Sequence, residues 1–433
     1  MRRKAYNQLL EWKESDSRKP LLLLGARQVG KTWLMKEFGK HEYENVAYIN
    51  CDTEPLTREL FQNDYDIRRL LVGFQAITGQ TINADTTLII LDEIQEAPRG
   101  LHSLKYFCEH APEYHVMAAG SLLGVTLAQQ ESFPVGKVDM LRIYPMDFEE
   151  FLYAMGQESL CGILASDDHM LADTFAGKLT ELLYQYFYVG GMPEVVKSFV
   201  THNDLKDVRR LQEDILTAYR NDISKHSSKT ESIRIGQVLA SLPSQLAKEN
   251  KKFIYGVAKK GARASDFELA IQWLIDAGLI YKVSRVNKVA MPLRFYEDIS
   301  AFKLFFLDIG LLCCMAGVPA STLLLDTDRL VEYKGMVAEE YVAQQLSAAG
   351  IDLYYWSNDK TPAELDFVIQ YDDAIYPVEV KASTNVRGKS IAQFIKDNPG
   401  MKGFRFSLLG YKTQDNLTNI PLYALPFRII AKG

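Results

Sequence analysis

Residues 25–32 read Gly-Ala-Arg-Gln-Val-Gly-Lys-Thr, the pattern G-x-x-x-x-G-K-[ST]. Glycines at these positions let backbone N–H groups curl around phosphate oxygens, and the start of a helix adds positive potential. Lys31 would then reach the β- and γ-phosphates of a nucleotide, and the Thr32 hydroxyl would bind Mg²⁺. The candidate nucleotide contacts are Gly25, Ala26, Arg27, Gln28, Val29, Gly30, Lys31, Thr32 and Trp33. A plain glycine turn with a solvated lysine is the alternative. The apolar Leu21–Leu24 before the pattern and the helical Thr32–Phe38 after it supply the strand–loop–helix setting that a phosphate-binding loop needs.

Sixty positions after Thr32, Leu88-Ile89-Ile90-Leu91 ends in Asp92-Glu93. Asp92, at the end of a buried strand, would share the Mg²⁺, usually through water, and Glu93 would orient and deprotonate the attacking water. An acidic pair at a strand end says little alone; after a phosphate loop it points to ATP hydrolysis. Simple kinases often lack the second acid. Ser121 closes the apolar His115–Ala119 run, either as a contact to the γ-phosphate or water, or as an N-cap for a helix over Leu122–Gln129.

These residues need a scaffold. Apolar runs at Leu21–Leu24, Val46–Asn50, Thr87–Leu91, His115–Ala119 and Val138–Ile143 alternate with segments of helical length, such as Gly100–His110. That alternation predicts a mostly parallel sheet with helices on both faces. Residues 166–232 read as helical (Ala172–Phe187, Leu205–Asp222), broken at Gly190-Gly191-Met192-Pro193. Residues 233–290 form a small helical unit ending in the strand Leu279–Val283; with ten basic and four acidic residues, it carries a surplus of six positive charges in a chain of net charge −6. The remainder, 291–433, mixes strands and helices again.

At 433 residues, 47% hydrophobic and 24% charged, the chain suits several folded domains and neither a disordered nor a fibrous protein. Its net charge excludes a simple polyanion binder, though not a local basic patch. Five cysteines without a CxxC pair, and seven histidines without HxxxH or HExxH, argue against a disulfide framework or a zinc site and fit a reducing cytoplasm. The basic Met1-Arg2-Arg3-Lys4 is followed by no apolar stretch. The longest apolar run, within Leu304–Val318, contains Asp308 and is too short to span a bilayer. The expectation is a soluble, cytoplasmic protein.

Gly-Ala-Arg-Gln-Val-Gly-Lys-Thr, Leu-Asp-Glu-Ile-Gln-Glu-Ala-Pro (91–98), Ala-Gly-Ser (119–121) and Tyr-Pro-Met-Asp-Phe-Glu-Glu-Phe (144–151) together resemble the AAA+-type P-loop ATPases of bacteria and archaea. Within that class the chain is similar to the group fused to a C-terminal restriction-endonuclease-like, PD-(D/E)xK, domain of unassigned role. Gly190-Gly191-Met192-Pro193-Glu194 and Tyr219–Lys225 extend the likeness. The resemblance implies an α/β multidomain protein: an ATPase at 1–165, a helical lid at 166–232, a winged-helix-like basic unit at 233–290 and a nuclease-like α/β domain at 291–433. ATP and Mg²⁺ are the implied cofactors. DNA or a protein is the implied partner, and an oligomer is left open. AAA+ proteins normally supply an arginine finger from a neighbouring subunit; Arg142 and Arg220 are the candidates, and Lys137 stands where relatives have an arginine before the last ATPase strand.

In a winged helix, the segment opened by Ala264-Ser265-Asp266, with Ser265 as N-cap and Gly278 as the stop, would be the helix laid in the DNA major groove. Lys259, Lys260, Arg263, Lys282, Arg285 and Lys288 could then neutralise phosphates; a solvated basic face is the competing reading. Further on, Glu364–Ile369 and Ile375–Lys381 read as a hairpin joined at Tyr371-Asp372-Asp373. Alternation puts Glu379 and Lys381 on one face, with Asp366 on the neighbouring strand. Two carboxylates and a lysine on one face can hold Mg²⁺ and position a water for phosphodiester attack. E-x-K also occurs at Glu11, Glu249 and Glu332, so Glu379 stands out only through its apolar strand and partner acid. The resemblance adds Glu339, giving Glu339, Asp366 and Glu379 as metal ligands and Asp366, Glu379 and Lys381 as catalytic residues. The leading function is an ATPase coupled to a nuclease-like, DNA-binding domain. The alternatives are a nucleotide-dependent switch or binding module that does not cut, and a P-loop kinase.

Overall fold

The computed structural model describes all residues except 98, 122–135, 249–250, 322–330, 359–360, 372, 383–388 and 429–433, and leaves aside the side chains of Asn63, Val331, Glu332, Tyr333 and Lys389. The expected helix at Leu122–Gln129, Glu249, and Asp372 of the hairpin turn lie outside the described residues, as does the Glu332 side chain. The chain divides into two compact units. One comprises Arg2–Tyr144 with Asp276–Gly278; the other comprises Pro145–Ile275 and Leu279–Gly433, together with Met1.

The smaller unit is a five-stranded sheet: β1 (Leu21–Leu24), β2 (Asn45–Asn50), β3 (Thr87–Asp92), β4 (His115–Ala119) and β5 (Asp139–Arg142), in the order β2-β3-β4-β1-β5. Every pairing is parallel. Helices α1 (Ala5–Glu14), α2 (Lys31–Glu42), α3 (Pro55–Asn63), α4 (Ile67–Thr78) and α5 (Gly100–His110) accompany it. All six residues of β3 are buried, as a strand covered on both faces requires. Phe61, Leu70, Phe74 and Phe107 of the helices pack with Leu22, Ile49, Ile89, Leu91 and Val116 of the strands. The five strands lie within a residue or so of their expected positions; in β1, β3 and β4 the nearly continuous apolar runs leave little freedom in placing them.

The larger unit starts with helices α6 (Phe148–Ala154), α7 (Glu158–Ala165), α8 (His169–Thr174), α9 (Ala176–Val189), α10 (Pro193–His202), α11 (Leu205–His226) and α12 (Lys229–Leu246). Asp147 and Glu150 cap the start of α6 reciprocally. The single helix expected over Ala172–Phe187 is two, α8 and α9, meeting at Phe175. After α13 (Tyr255–Ala258) comes α14 (Glu268–Asp276), which begins later than Ala264-Ser265-Asp266 predicts. Those three residues form a 3₁₀ turn, and Asp266 accepts from the Arg263 N–H at 2.9 Å instead of lying inside the helix.

Eight strands follow in one mixed sheet, with α15 (Ile309–Met315), α16 (Val331–Ala348), α17 (Lys389–Asp397) and α18 (Leu425–Arg428) between and after them. The strands are β6 (Ile280–Val286), β7 (Glu297–Phe306), β8 (Leu353–Ser357), β9 (Glu364–Tyr371), β10 (Ala374–Val380), β11 (Gly403–Ser407), β12 (Lys412–Gln414) and β13 (Leu417–Pro421), in the order β12-β13-β11-β10-β9-β8-β6-β7. Strand β6 pairs with β7 antiparallel and with β8 in parallel, so the sheet runs through residue 290, where a domain boundary was expected.

The Gly190-Gly191-Met192-Pro193 break sits in a buried polar knot. Gly191 N–H donates to Asp308 at 2.6 Å, and its carbonyl accepts from Met146 N–H at 2.7 Å. A Cβ on Gly190, whose φ is +76°, would lie 2.3 Å from Asp308 Oδ1; one on Gly191 would lie 2.0 Å from the Met146 carbonyl. Tyr186 Oη donates to that carbonyl at 2.6 Å and accepts from Gln344 and Gln345 of α16 at 3.0 and 3.2 Å. Only glycine fits both positions.

Candidate nucleotide site and C-terminal acidic cluster

The phosphate loop joins β1 to α2 with left-handed backbone at Gly25 (φ +139°), Gln28 (φ +66°) and Gly30 (φ +97°). Glycine is obligatory at 25, because a Cβ there would stand 2.2 Å from the Ile143 carbonyl. Buried Arg3 secures the loop from outside, donating to the carbonyls of Val29 at 2.9 Å and Tyr144 at 2.7 Å. Lys31 is folded into the loop, its ammonium 2.8 Å from the carbonyls of both Gly25 and Ala26. Burial drives its pKa down to about 8 against the attraction of Glu93 and Asp92. Trp33, next in the chain, is partly exposed.

Thr32 Oγ1 and Tyr48 Oη both donate to one oxygen of Asp92, Oδ2, at 2.8 and 2.9 Å. Glu93 leaves β3 in a left-handed conformation (φ +50°). Its carboxylate accepts from the Ser121 hydroxyl at 2.9 Å, the Ser121 N–H at 3.0 Å and the Gln95 amide at 2.7 Å. Desolvation alone would raise the Glu93 pKa; the donors from Gln95 and Ser121, with the Lys31 charge, outweigh it and hold the group below the ordinary glutamate range. Lys31, Thr32, Asp92, Glu93 and Ser121 are therefore brought together. Arg3, Tyr48 and Gln95 were not singled out from the sequence. Gln95, two residues beyond Glu93, had a local signal; Arg3 and Tyr48 reach the site only through the fold. Lys137 is paired with Glu109 at 2.9 Å. Arg142 ends β5 and Arg220 lies on α11, both exposed, each in its own unit.

Residues 17–152 match the family described as AAA domain. This region is an AAA-type P-loop ATPase domain. Beyond the ATPase domain, residues 180–322 match a domain of unknown function (DUF8612) and residues 334–427 another (DUF4143). No curated protein matches the chain. Among solved structures, the chain is similar to the Walker-type ATPase PABY2304 of Pyrococcus abyssi: 16% identity, 73% of this chain and 95% of that one, TM-score 0.44. The Aeropyrum pernix ORC1 protein, solved in complex with DNA, matches over 74% of this chain and 92% of its own at 10% identity, TM-score 0.27. Cdc6p from Pyrobaculum aerophilum matches over 75% and 95% at 11% identity, TM-score 0.26. Among the described residues, no helix is long and apolar enough to cross a membrane.

The basic residues of 233–290 meet different fates. Lys259, Lys260 and Arg263 are exposed. Arg285 is ion-paired with Asp298 at 2.6 Å, Lys282 lies 4.8 Å from the Phe302 ring centre, and Lys288 lies 5.6 Å from that of Tyr296.

In the same unit, Asp366 on β9 accepts from the Val380 N–H of β10 at 2.8 Å. Glu379 accepts from Arg405 of β11 at 2.8 Å, with the Lys381 ammonium 3.5 Å away. Glu339 of α16 is ion-paired with Lys251, both largely buried. Buried Lys303 of β7 donates to Glu364 at 2.5 Å. Burial alone would lower the Lys303 pKa, but Glu364, Glu339 and Asp366 raise it. Desolvation, then the Glu339 charge, pushes the Asp366 carboxyl up to about 7 against the pull of Lys303 and Lys251. Glu339 Oε2 has no hydrogen-bond partner among the described residues. Among them, too, no three His, Cys, Asp or Glu side chains are grouped to hold a metal.

Proposed function

We propose that the protein is an ATP-hydrolysing enzyme whose ATPase unit drives or switches a DNA-contacting, nuclease-like C-terminal region. The observation that carries the hydrolysis is the fixing of Glu93 by Ser121 and Gln95 beside a phosphate loop. A glutamate held ionised is a base for the attacking water. Lys31 would turn from the Gly25 and Ala26 carbonyls onto the β- and γ-phosphates, exchanging two neutral acceptors for charged ones. Thr32 and Asp92 present hard oxygen donors within 2.8 Å of each other, a donor set that suits Mg²⁺. Bound there, the ion would neutralise charge developing on the phosphate oxygens.

The nuclease-like reading of the C-terminal region rests on the order α16–β8–β9–β10–α17–β11, with β9–β10 antiparallel and β10–β11 parallel. It also rests on the acids of α16, β9 and β10. The DNA reading rests on exposed Lys259, Lys260 and Arg263 just before α14, and on the β6–β7 ribbon after it.

The test is Mg²⁺-dependent ATP turnover, with and without duplex and single-stranded DNA, for wild type beside Glu93→Gln. Stimulation by DNA that disappears in Glu93→Gln supports the reading. Turnover indifferent to both DNA forms removes DNA as the partner. Unchanged turnover in Glu93→Gln removes the assigned base.

A further inference from the structure

The C-terminal carboxylates were expected to gather around a metal, yet two ammonium groups lie among them. Lys251, between α12 and α13, reaches Glu339 of α16. Lys303, from β7, reaches Glu364 at the start of β9. Asp366, two residues further on and therefore on the same face of β9, lies within the field of both. Glu379 is engaged separately by Arg405 and Lys381. One carboxylate oxygen, Glu339 Oε2, is left open. A magnesium ion needs six ligands in near-octahedral array, and a divalent ion placed among these carboxylates would have the ammonium groups of Lys251 and Lys303 beside it.

We infer that Lys251 and Lys303 stand where a catalytic metal would stand in a cleaving enzyme, and that this cluster is an ion-paired joint instead of a metal centre. The joint ties the basic segment, through Lys251, to α16, β7 and β9. The C-terminal region is on this account a non-cleaving platform. The inference rests on the nuclease-like reading above, and not on the ATPase assignment.

Mn²⁺ alone is the probe. It is titrated into the full-length chain carrying Asp92→Asn, without nucleotide, and free Mn²⁺ is read by electron paramagnetic resonance beside a thermal melt. The expected result is no bound Mn²⁺ at about 1 mM and a Tm that the ion does not move, since only an ion bound to the folded state raises it. Stoichiometric Mn²⁺ that is lost when Asp366→Asn is added would overturn the inference. So would nicking of supercoiled DNA by wild type that disappears in Asp366→Asn. As a second arm, Lys251→Met and Lys303→Met are each expected to lower Tm; if neither moves it, the joint is refuted. A failure of either variant to fold counts as loss of stability, and the Mn²⁺ titration stands without them. ATP turnover of the wild-type preparation separates a failure here from a failure of the ATPase assignment.

Discussion

Ser121 grips Glu93 with both of its donors: the hydroxyl at 2.9 Å to one carboxylate oxygen and the backbone N–H at 3.0 Å to the other. The end of β4 thus aims the acid at the end of β3, its parallel neighbour. Ser121, weighed from the sequence as a contact to the γ-phosphate or water, holds the Glu93 carboxylate. On the proposed reading, Ser121 positions the base.

Replacing the base should cost far more than replacing its holder. Glu93→Gln should lower kcat by roughly 10²- to 10⁴-fold, the usual contribution of a general base, while ATP still binds. Phosphate release and nucleotide titration of the same protein check the two halves of that statement.

Ser121→Ala removes the hydroxyl donor but keeps the N–H. A smaller loss follows, about tenfold, the worth of one hydrogen bond to a charged group. The sign of the pH effect is fixed. The lost donor favours ionised Glu93, so its pKa rises and the acid limb of the kcat profile moves to higher pH. A profile unchanged from wild type would separate Ser121 from Glu93.

Lys31 gives a linkage prediction. Its folded-state pKa of about 8 means that the free ammonium is half titrated near pH 8. Phosphates restore the charge, so ATP binding should take up roughly half a proton at pH 8 and about a tenth at pH 7. Affinity should fall as pH rises above 8. Calorimetry in buffers of different ionisation enthalpy measures the uptake directly.

Gly190→Ala should destabilise the larger unit by about 2–4 kcal/mol, because the new Cβ meets Asp308 and the backbone is left-handed. The larger unit's melting temperature should fall by roughly 3–7 °C. Its fall in a calorimetric scan, with the smaller unit's transition in place, is the check.

The phosphate loop and the acids of β3 were legible because each is a run of consecutive residues whose setting is also local. Strands β1, β3 and β4 were legible for the same reason, each being a buried run that is almost wholly apolar; β2 and β5 are only partly buried, and β5 carries Asp139 and Arg142. Lys251, Lys303, Glu339 and Glu364 come from a connecting segment, a helix and two strands spread over more than a hundred residues, and no spacing rule joins them. Lys251 was visible only as one of ten basic residues in a stretch read for its net charge. The start of α14 was misread because Ser265 is a good N-cap in isolation, while Asp266 bonds back to Arg263 and holds a 3₁₀ turn.

Strand β6 bonds to β7 on one side and β8 on the other. A fragment ending at residue 290 would carry β6 with both rows of backbone donors and acceptors bare; one starting at 291 would leave β7 with no neighbour and β8 open along one side. Neither stretch of chain therefore completes its backbone pairing without the other, and backbone amides on either side of residue 290 should open to hydrogen exchange as one unit.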